Sequence, residues 1–266
     1  MPRVRSGDAE IFYQVTGDGL PVVLLHPFPA NHELWMRAAQ ALISRYKLIL
    51  PDLRGHGDSD IGDGPAATMH QHAADIMRVL DDARVDRAAI AAISIGGYAV
   101  FEFWRQQRGR VSALALFNTK AQADNPEARA ARLQTAVDVM ERGTEPFLEN
   151  MVQKVIGKTI RETRVDLVEG ALRMMRKMSP EDIAMVQRGM AERMDSMATL
   201  KTINVPTLVV TGDEDIMTGV AEAEQMRQNI AGSQMKVISR AGHFAVWEQA
   251  EESGRILRQF LDASYS

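Results

Sequence analysis

The sequence predicts an α/β protein: a mostly parallel sheet flanked by helices, with an all-helical segment inserted into it. Strand and helix signals alternate through the first 119 residues, and they alternate again from residue 202 to residue 266. Between residues 120 and 201 the strand signal disappears. Repeated β-α-β units give parallel strands joined by right-handed crossovers. We therefore predict a core of residues 1–119 and 202–266, and a helical insertion of residues 120–201.

The elements of the first core segment follow from hydrophobic periodicity and from turn residues. Residues 21–26 form a continuous apolar run, which is typical of a parallel strand that is covered on both faces. Residues 69–83 carry apolar side chains at helical spacing. The predicted elements are strand Ile11–Val15, strand Pro21–His26, helix His32–Ser44, strand Tyr46–Leu50, helix Met69–Ala83, strand Arg87–Ile93, helix Gly97–Gln107 and strand Ser112–Phe117.

The helical insertion shows apolar residues at helical spacing in several groups, one of them Leu133, Val137 and Met140. Its last long helix begins at Ser179-Pro180, where serine is a favoured N-cap and proline a favoured first residue. The α/β alternation then resumes. The predicted elements are strand Thr207–Thr211, helix Val220–Ile230, strand Met235–Ile238 and helix Glu248–Leu261.

Composition excludes several classes of function. The net charge is -4 and no basic run is present, so we expect no nucleic-acid partner. There is no cysteine, which excludes disulfides, a thiol nucleophile and thiolate metal sites. No apolar run approaches the roughly 18 residues that a membrane helix needs, and the N-terminal residues resemble no secretory signal. We predict a cytoplasmic protein, a monomer or homodimer, with no membrane partner.

Ser94 lies at the junction between a predicted buried strand and a predicted helix. A serine on such a sharp turn presents its hydroxyl outside the sheet, beside the N–H of the next residue. The turn crowds the strand against the helix, so the positions two before and two after the serine must be small; they are Ala92 and Gly96. This pattern predicts a nucleophile. The alternative interpretation is a helix N-cap, which serine also favours.

A catalytic serine needs a base within hydrogen-bond reach and an acid that orients the base. Asp215 and His243 each follow a predicted strand, at the sheet edge where open parallel sheets bind ligands. The chain order Ser94, Asp215, His243 is that of one known class of triad. Asp213 and Glu214 compete with Asp215 for the role of the acid, and His243 could instead be a structural loop histidine.

With these residues in place, the chain resembles an α/β-hydrolase-fold serine hydrolase with a helical cap, over nearly its whole length. The nearest group is that of small carboxylesterases and 3-oxoadipate enol-lactonases. The resemblance implies a sheet of the eight-stranded type and favours Asp215 as the acid; some members carry the acid where this chain has Asn118. The segments that carry it are Leu25-His26-Pro27-Phe28-Pro29, Asp52-Leu53-Arg54-Gly55-His56-Gly57-Asp58-Ser59, Gly212-Asp213-Glu214-Asp215, and Gly242-His243 with Glu248.

Two residues depart from the family pattern: Ala92 and Pro27 each replace a usual glycine. The second change bears on the oxyanion hole, which uses one N–H from this loop and one from the residue after the nucleophile. Since Pro27 and Pro29 have no N–H, Phe28 is the expected first donor. Ile95 is the expected second donor.

The residues that would choose the substrate carry no motif. Tyr98 and Phe117 lie near strand ends, and the insertion holds at least nine of the 16 methionines. Two interpretations of the methionines stay open: flexible core filler, or an adaptable apolar acyl pocket. The pocket candidates are Tyr98, Phe117, Met174, Met175, Met190 and Met194.

We predict a carboxylesterase that hydrolyses small carboxylic esters through an acyl-enzyme, with a small-molecule ester or lactone as its substrate. No metal or organic cofactor is expected. The alternatives within enzymes are a 3-oxoadipate enol-lactonase, a C–C hydrolase of aromatic meta-cleavage products and a cofactor-free perhydrolase. The alternative outside enzymes is a ligand-binding receptor of the same fold with low turnover.

Overall fold

The strands of the computed structural model, which describes residues 2–265, form one sheet with the order β1-β2-β4-β3-β5-β6-β7-β8. Strands β3 to β8 run parallel to one another, while β2 is antiparallel to both β1 and β4. The strands are β1 Arg3–Ser6, β2 Ala9–Thr16, β3 Leu20–Leu25, β4 Tyr46–Pro51, β5 Ala88–Ile93, β6 Val111–Phe117, β7 Thr207–Gly212 and β8 Gln234–Ile238. This mostly parallel eight-stranded sheet confirms the predicted fold class.

Helices α1 to α3 and α10 to α12 belong to the two core segments, and α4 to α9 lie between β6 and β7. No helix in residues 2–265 is long and apolar enough to cross a membrane. Met1 and Ser266, the predicted ends of the core, lie outside the described residues. The helices are α1 Met36–Ala39, α2 Met69–Asp82, α3 Ile95–Gln107, α4 Pro126–Arg142, α5 Glu145–Val155, α6 Lys158–Thr163, α7 Val165–Met175, α8 Pro180–Ala191, α9 Met197–Leu200, α10 Val220–Asn229, α11 Ala245–Glu248 and α12 Ala250–Ser264, with short 3-10 helices at His32–Trp35 and Arg108–Arg110.

The central strands are buried on both faces. Every residue of β5 and of β7 is buried, and so are residues 22–25 of β3. Strand β5 consists of alanine and isoleucine only. Helices cover both faces of a parallel sheet, which explains why these strands are continuous apolar runs rather than alternating ones. The carboxyl ends of these three strands lead directly into the loops that carry the candidate site.

The predicted helix at residues 32–44 is shorter in the structure, and β1 was not predicted. After Ala39 the chain continues in turns, because the N–H of Leu42 donates to the carbonyl of Ala39, three residues back. Helix α12 also packs closely here: a methyl group on Gly254 would lie 2.5 Å from the carbonyl oxygen of Ala38. The segment that follows Ala39 is thus a series of turns instead of a continued helix, next to a close contact with α12.

Candidate active site

Ser94 joins β5 to α3 in a strained backbone conformation. Its φ is 52° and its ψ is -114°, angles that cost a non-glycine residue roughly 1–3 kcal/mol. The turn is held by neighbouring strand β6 and its loop, since Ser94 N–H donates to the carbonyl of Phe117 (3.2 Å) and the Thr119 hydroxyl donates to the carbonyl of Ser94 (2.8 Å). A methyl group on Gly96 would lie 2.9 Å from the Cβ of Leu25. The structure thus has the crowded turn that the small neighbours of Ser94 predicted.

His243 and Asp215 are hydrogen-bonded at the ends of neighbouring strands. The distance from His243 Nδ1 to Asp215 Oδ2 is 3.0 Å, and both side chains are buried. Because Nδ1 faces a carboxylate oxygen, it carries the proton in the neutral ring, which leaves the lone pair on Nε2. Nε2 is buried and has no hydrogen-bond partner within residues 2–265. The ring can therefore accept a proton at Nε2.

The Asp215 carboxylate is surrounded by donors. Met217 N–H and Thr218 N–H donate to Oδ1 (2.8 and 3.1 Å), and Asn118 Nδ2 and the Thr218 hydroxyl donate to Oδ2 (2.9 Å each). Although burial alone would raise the pKa of Asp215, the adjacent His243 and these hydrogen bonds hold the pKa well below its usual range. Asp215 is therefore ionised throughout the neutral range.

Two of these supporting residues were missed by sequence reasoning as partners of the acid. Asn118 was considered only as a poor substitute for the acid, and Thr218 was not considered. The sequence held one signal for Asn118, because it directly follows a predicted strand at the edge where the site lies. In the structure it adopts a positive φ of 42°, which asparagine tolerates well. Asp213 lies elsewhere: one of its oxygens accepts a hydrogen bond from Ser239 (3.1 Å).

Ser94 and His243 line the same cavity, of about 70 Å³, between the sheet edge and the helical insertion. The insertion contributes Arg132 from α4, Met151 from α5 and Met190 from α8. The complete lining is Phe28, Ser94, Tyr98, Lys120, Arg132, Met151, Met190, Met217, Thr218 and His243. The cavity therefore brings a nucleophilic hydroxyl and an unpaired ring nitrogen into one small space.

Only two of the predicted pocket residues, Tyr98 and Met190, line this cavity. Phe117 is fully buried in the core, where its ring meets Trp35 edge-on at 5.6 Å between centroids. Met174 and Met175 are also buried in the hydrophobic core, and Met194 is 67% exposed. The expectation that these four residues line the pocket is corrected: helical spacing identified apolar positions but not the direction in which each side chain points.

The loop after β3 places Phe28 at the cavity beside a buried histidine. His26 Nδ1 donates to the carbonyl of Pro27 (2.9 Å), while Nε2 accepts from the N–H of Leu53 (2.8 Å). Burial, together with the nearby His56, lowers the pKa of His26 to about 3. A neutral ring can hold this pattern of one donor and one acceptor, so His26 braces the loop that carries the Phe28 N–H.

A tight junction joins the insertion to the loop of His243. The Glu248 carboxylate accepts hydrogen bonds from the N–H groups of Gly157 (2.8 Å) and Gly242 (3.0 Å). The backbones meet so closely that a methyl group on Gly242 would lie 2.3 Å from Gly157 N. Burial raises the pKa of Glu248 to about 7, against the opposing effect of these hydrogen bonds. One carboxylate therefore ties the insertion to the residue before His243.

This fold and site can be placed among known proteins. The model of the alpha/beta hydrolase fold family matches residues 21–250 of the chain. The chain belongs to the alpha/beta hydrolase fold family. The family resemblance found in the sequence is thereby confirmed.

Several proteins similar to this chain have named activities. The chain is 31% identical to a thermophilic esterase from Thermogutta terrifontis, whose structure was solved with malate bound; the TM-score is 0.96, and the match covers 100% of this chain and 99% of that one. It is 24% identical to 3-oxoadipate enol-lactonase 1 of Acinetobacter baylyi, over 90% of this chain and 88% of the relative. An enol-lactonase from Burkholderia xenovorans has the same fold, with a TM-score of 0.91 at 23% identity, over 98% of this chain and 100% of that one. Together these relatives support a hydrolase activity.

Proposed function

We propose that the protein is a carboxylic ester hydrolase in which Ser94, His243 and Asp215 form a catalytic triad. The observation that carries this proposal is the shared cavity: Ser94 on its strained turn and the unpaired Nε2 of His243 both line it, while Asp215 binds Nδ1 of the same ring. A base oriented by a buried carboxylate, beside a serine hydroxyl, is the arrangement that acyl transfer needs.

In this mechanism Ser94 Oγ attacks the acyl carbon while His243 Nε2 takes its proton. The ionised Asp215 stabilises the imidazolium that forms. The N–H groups of Phe28 and Ile95 bind the oxyanion; Ile95 is the first residue of α3, so its N–H has no partner inside the helix. His243 then returns the proton to the leaving alcohol and activates a water molecule, which hydrolyses the acyl-enzyme.

An enol-lactonase is the second candidate, and the Acinetobacter baylyi relative favours it. A lactone has the same acyl–oxygen bond as an ester, so the same three residues would open it. The two candidates differ in the leaving group, which stays attached to the acyl chain in a lactone. Comparing a simple ester with an enol-lactone of similar size therefore separates them.

The proposal is tested by stopped-flow hydrolysis of 4-nitrophenyl butyrate and by labelling with a fluorophosphonate. We expect a burst approaching one equivalent of 4-nitrophenol, and a label on Ser94. Ser94→Ala should abolish the burst and lower kcat by about 10⁴-fold or more, with an unchanged circular dichroism spectrum. Ser44→Ala is the matched control, because Ser44 is exposed and does not line the cavity, and this variant should retain full activity. Near-normal turnover by Ser94→Ala, or a label on another residue, would overturn the assignment.

A further inference from the structure

A cluster of three cations surrounds a single carboxylate next to the cavity of Ser94. The Asp124 carboxylate contacts Arg193 Nη1 at 2.7 Å, Arg132 Nε at 2.5 Å and Lys120 Nζ at 3.8 Å. Its side chain is 2% exposed, so solvent does little to screen these charges. Three positive charges against one negative charge leave the cluster with an excess of positive charge.

Arg193 has a structural role in this cluster. Besides Asp124, its guanidinium donates to the carbonyls of Met190 (3.2 Å) and Gln122 (2.9 Å). It also stacks on the ring of Tyr98, with 4.3 Å between the guanidinium carbon and the ring centroid. Arg193 is buried and does not line the cavity of Ser94. The Arg193 guanidinium therefore binds groups inside the protein and not a ligand in the cavity.

Lys120 and Arg132, in contrast, line the cavity and keep donors free. The Lys120 ammonium lies 3.8 Å from Asp124, beyond hydrogen-bond distance, and donates to no acceptor within residues 2–265. Arg132 uses Nε on Asp124 and Nη1 on Gln187 (3.1 Å), while its Nη2 donates to no acceptor in the same described chain. Burial lowers the pKa of Lys120, as expected of an ammonium group that has lost part of its hydration.

The same two cations also connect the cavity to the outside. Lys120 and Arg132 line both the cavity of Ser94 and a wider cavity of about 410 Å³ that adjoins it and also contains Lys154. Lys120 lies in the loop between β6 and α4, whereas Arg132 lies on α4. An anion between them would contact the loop and the helix at once.

We propose that this cavity selects esters whose non-reacting end carries a carboxylate, and that Lys120 and Arg132 bind that carboxylate while Ser94 attacks the ester. This inference rests on the proposed hydrolase function and names its substrate class. A guanidinium fork and an ammonium group form charge-assisted hydrogen bonds with a carboxylate. The anion would also offset the excess positive charge around Asp124. Lys120 and Arg132 are thus assigned as specificity-determining residues.

The test uses three ethyl esters that share a five-carbon acyl chain and differ only at its far end: ethyl pentanoate, monoethyl glutarate and ethyl 5-trimethylammoniopentanoate. Ethanol release gives kcat/KM for each ester. We expect monoethyl glutarate to be hydrolysed about 10- to 100-fold more efficiently than ethyl pentanoate, the range of a charge-assisted hydrogen bond. The cationic ester should be the poorest substrate.

Two variants test whether Lys120 and Arg132 cause the preference for monoethyl glutarate. Lys120→Met and Arg132→Met should each bring the ratio of kcat/KM for monoethyl glutarate to that for ethyl pentanoate close to one, mainly through a higher KM for monoethyl glutarate. Lys120→Met is the cleaner variant, because Lys120 makes no hydrogen bond with the part of the chain that the structure describes. Lys158→Met is the matched control: Lys158 is exposed on α6 and should leave all three rates unchanged.

The outcomes separate this inference from the proposed function. Hydrolysis of ethyl pentanoate with no preference for monoethyl glutarate would overturn the inference and leave the ester hydrolase intact. If no ester is hydrolysed, the proposed function falls, and titration calorimetry with glutarate decides the inference on its own. Glutarate binding that Lys120→Met weakens about tenfold or more would support the site, and an absence of binding would overturn it.

Discussion

The sheet edge and the helical insertion build the two sides of one cavity in different ways. At the sheet edge, polar atoms are fixed by several hydrogen bonds each; the Asp215 carboxylate alone has His243, Asn118, Met217 and Thr218 as partners. On the insertion side, the walls are the long side chains of Arg132, Met151 and Met190. Methionine fills space without one preferred shape.

This difference separates reactivity from substrate choice. A hydrogen-bonded carboxylate in a buried site acts through one geometry, so changing one atom there should change the rate by orders of magnitude. A wall of flexible side chains can adapt to a change, so a substitution there should alter the preference among substrates by smaller factors.

The sharpest test of the sheet edge is Asp215→Asn. The amide would favour the wrong tautomer of His243, so kcat on an activated ester should fall by about 10⁴-fold, as it does in serine proteases with the same substitution. Asp213→Asn is the matched control two residues away and should lower kcat much less. If Asp213→Asn has the larger effect, the acid has been assigned to the wrong residue.

The junction between the two regions is tested by Glu248→Gln. The pKa of Glu248 is raised from 4.5 to about 7 in the folded protein, so the folded state binds more protons than the unfolded state between these values. The free energy of unfolding should therefore fall as pH rises from about 4.5 to about 7, by about 3 kcal/mol at most. Urea unfolding at pH 5 and pH 8 measures this difference.

Glu248→Gln should remove that pH-dependent part of stability, because the amide does not titrate. Glu251→Gln, at an exposed residue of the neighbouring helix, should keep the pH dependence of the unaltered protein. The same slope in Glu248→Gln and in the unaltered protein would show that Glu248 does not exchange its proton in this range.

The insertion wall is tested by Met190→Phe. The larger, stiffer ring should shift kcat/KM between acyl chains of different length by up to about 1–3 kcal/mol per methylene, with labelling of Ser94 by a small phosphonate unchanged. Met194→Phe changes an exposed methionine that does not line the cavity and should leave the length profile as it was. If Met190→Phe changes Tm but leaves the dependence of kcat/KM on acyl-chain length unaltered, Met190 fills the core and does not select the substrate.

The sequence predicted those parts of the molecule that depend on local pattern. Apolar runs marked the central strands, and the ends of parallel strands meet at one edge, so Ser94, Asp215 and His243 could be expected together. Contacts between distant segments left no local pattern. Asn118 lies in the loop after β6, 97 residues before Asp215 in the chain, so the fold alone brings it there. Thr218 lies in the same loop as Asp215, and its contact is local.

The cation cluster could not be predicted from the sequence either, because its members also come from distant segments. Lys120, Arg132 and Arg193 are spread over some seventy residues, among many other charged residues. Their excess of positive charge arises because the fold brings α4 and the segment after α8 over the loop after β6, and because Asp124 is the one carboxylate within 4.0 Å of them among residues 2–265. The methionine wall shows a related limit, since periodicity predicted buried methionines without distinguishing Met190 from Met175.

The close approach of Gly157 and Gly242 sets a condition on how the insertion could be exchanged. Each glycine occupies the space that a methyl group on the other would need. A helical segment from another hydrolase, grafted between β6 and β7, would have to bring a glycine to this point and present its N–H to Glu248. Without that glycine the graft would displace the turn before His243, so the two regions form an exchangeable pair only when this contact is copied along with them.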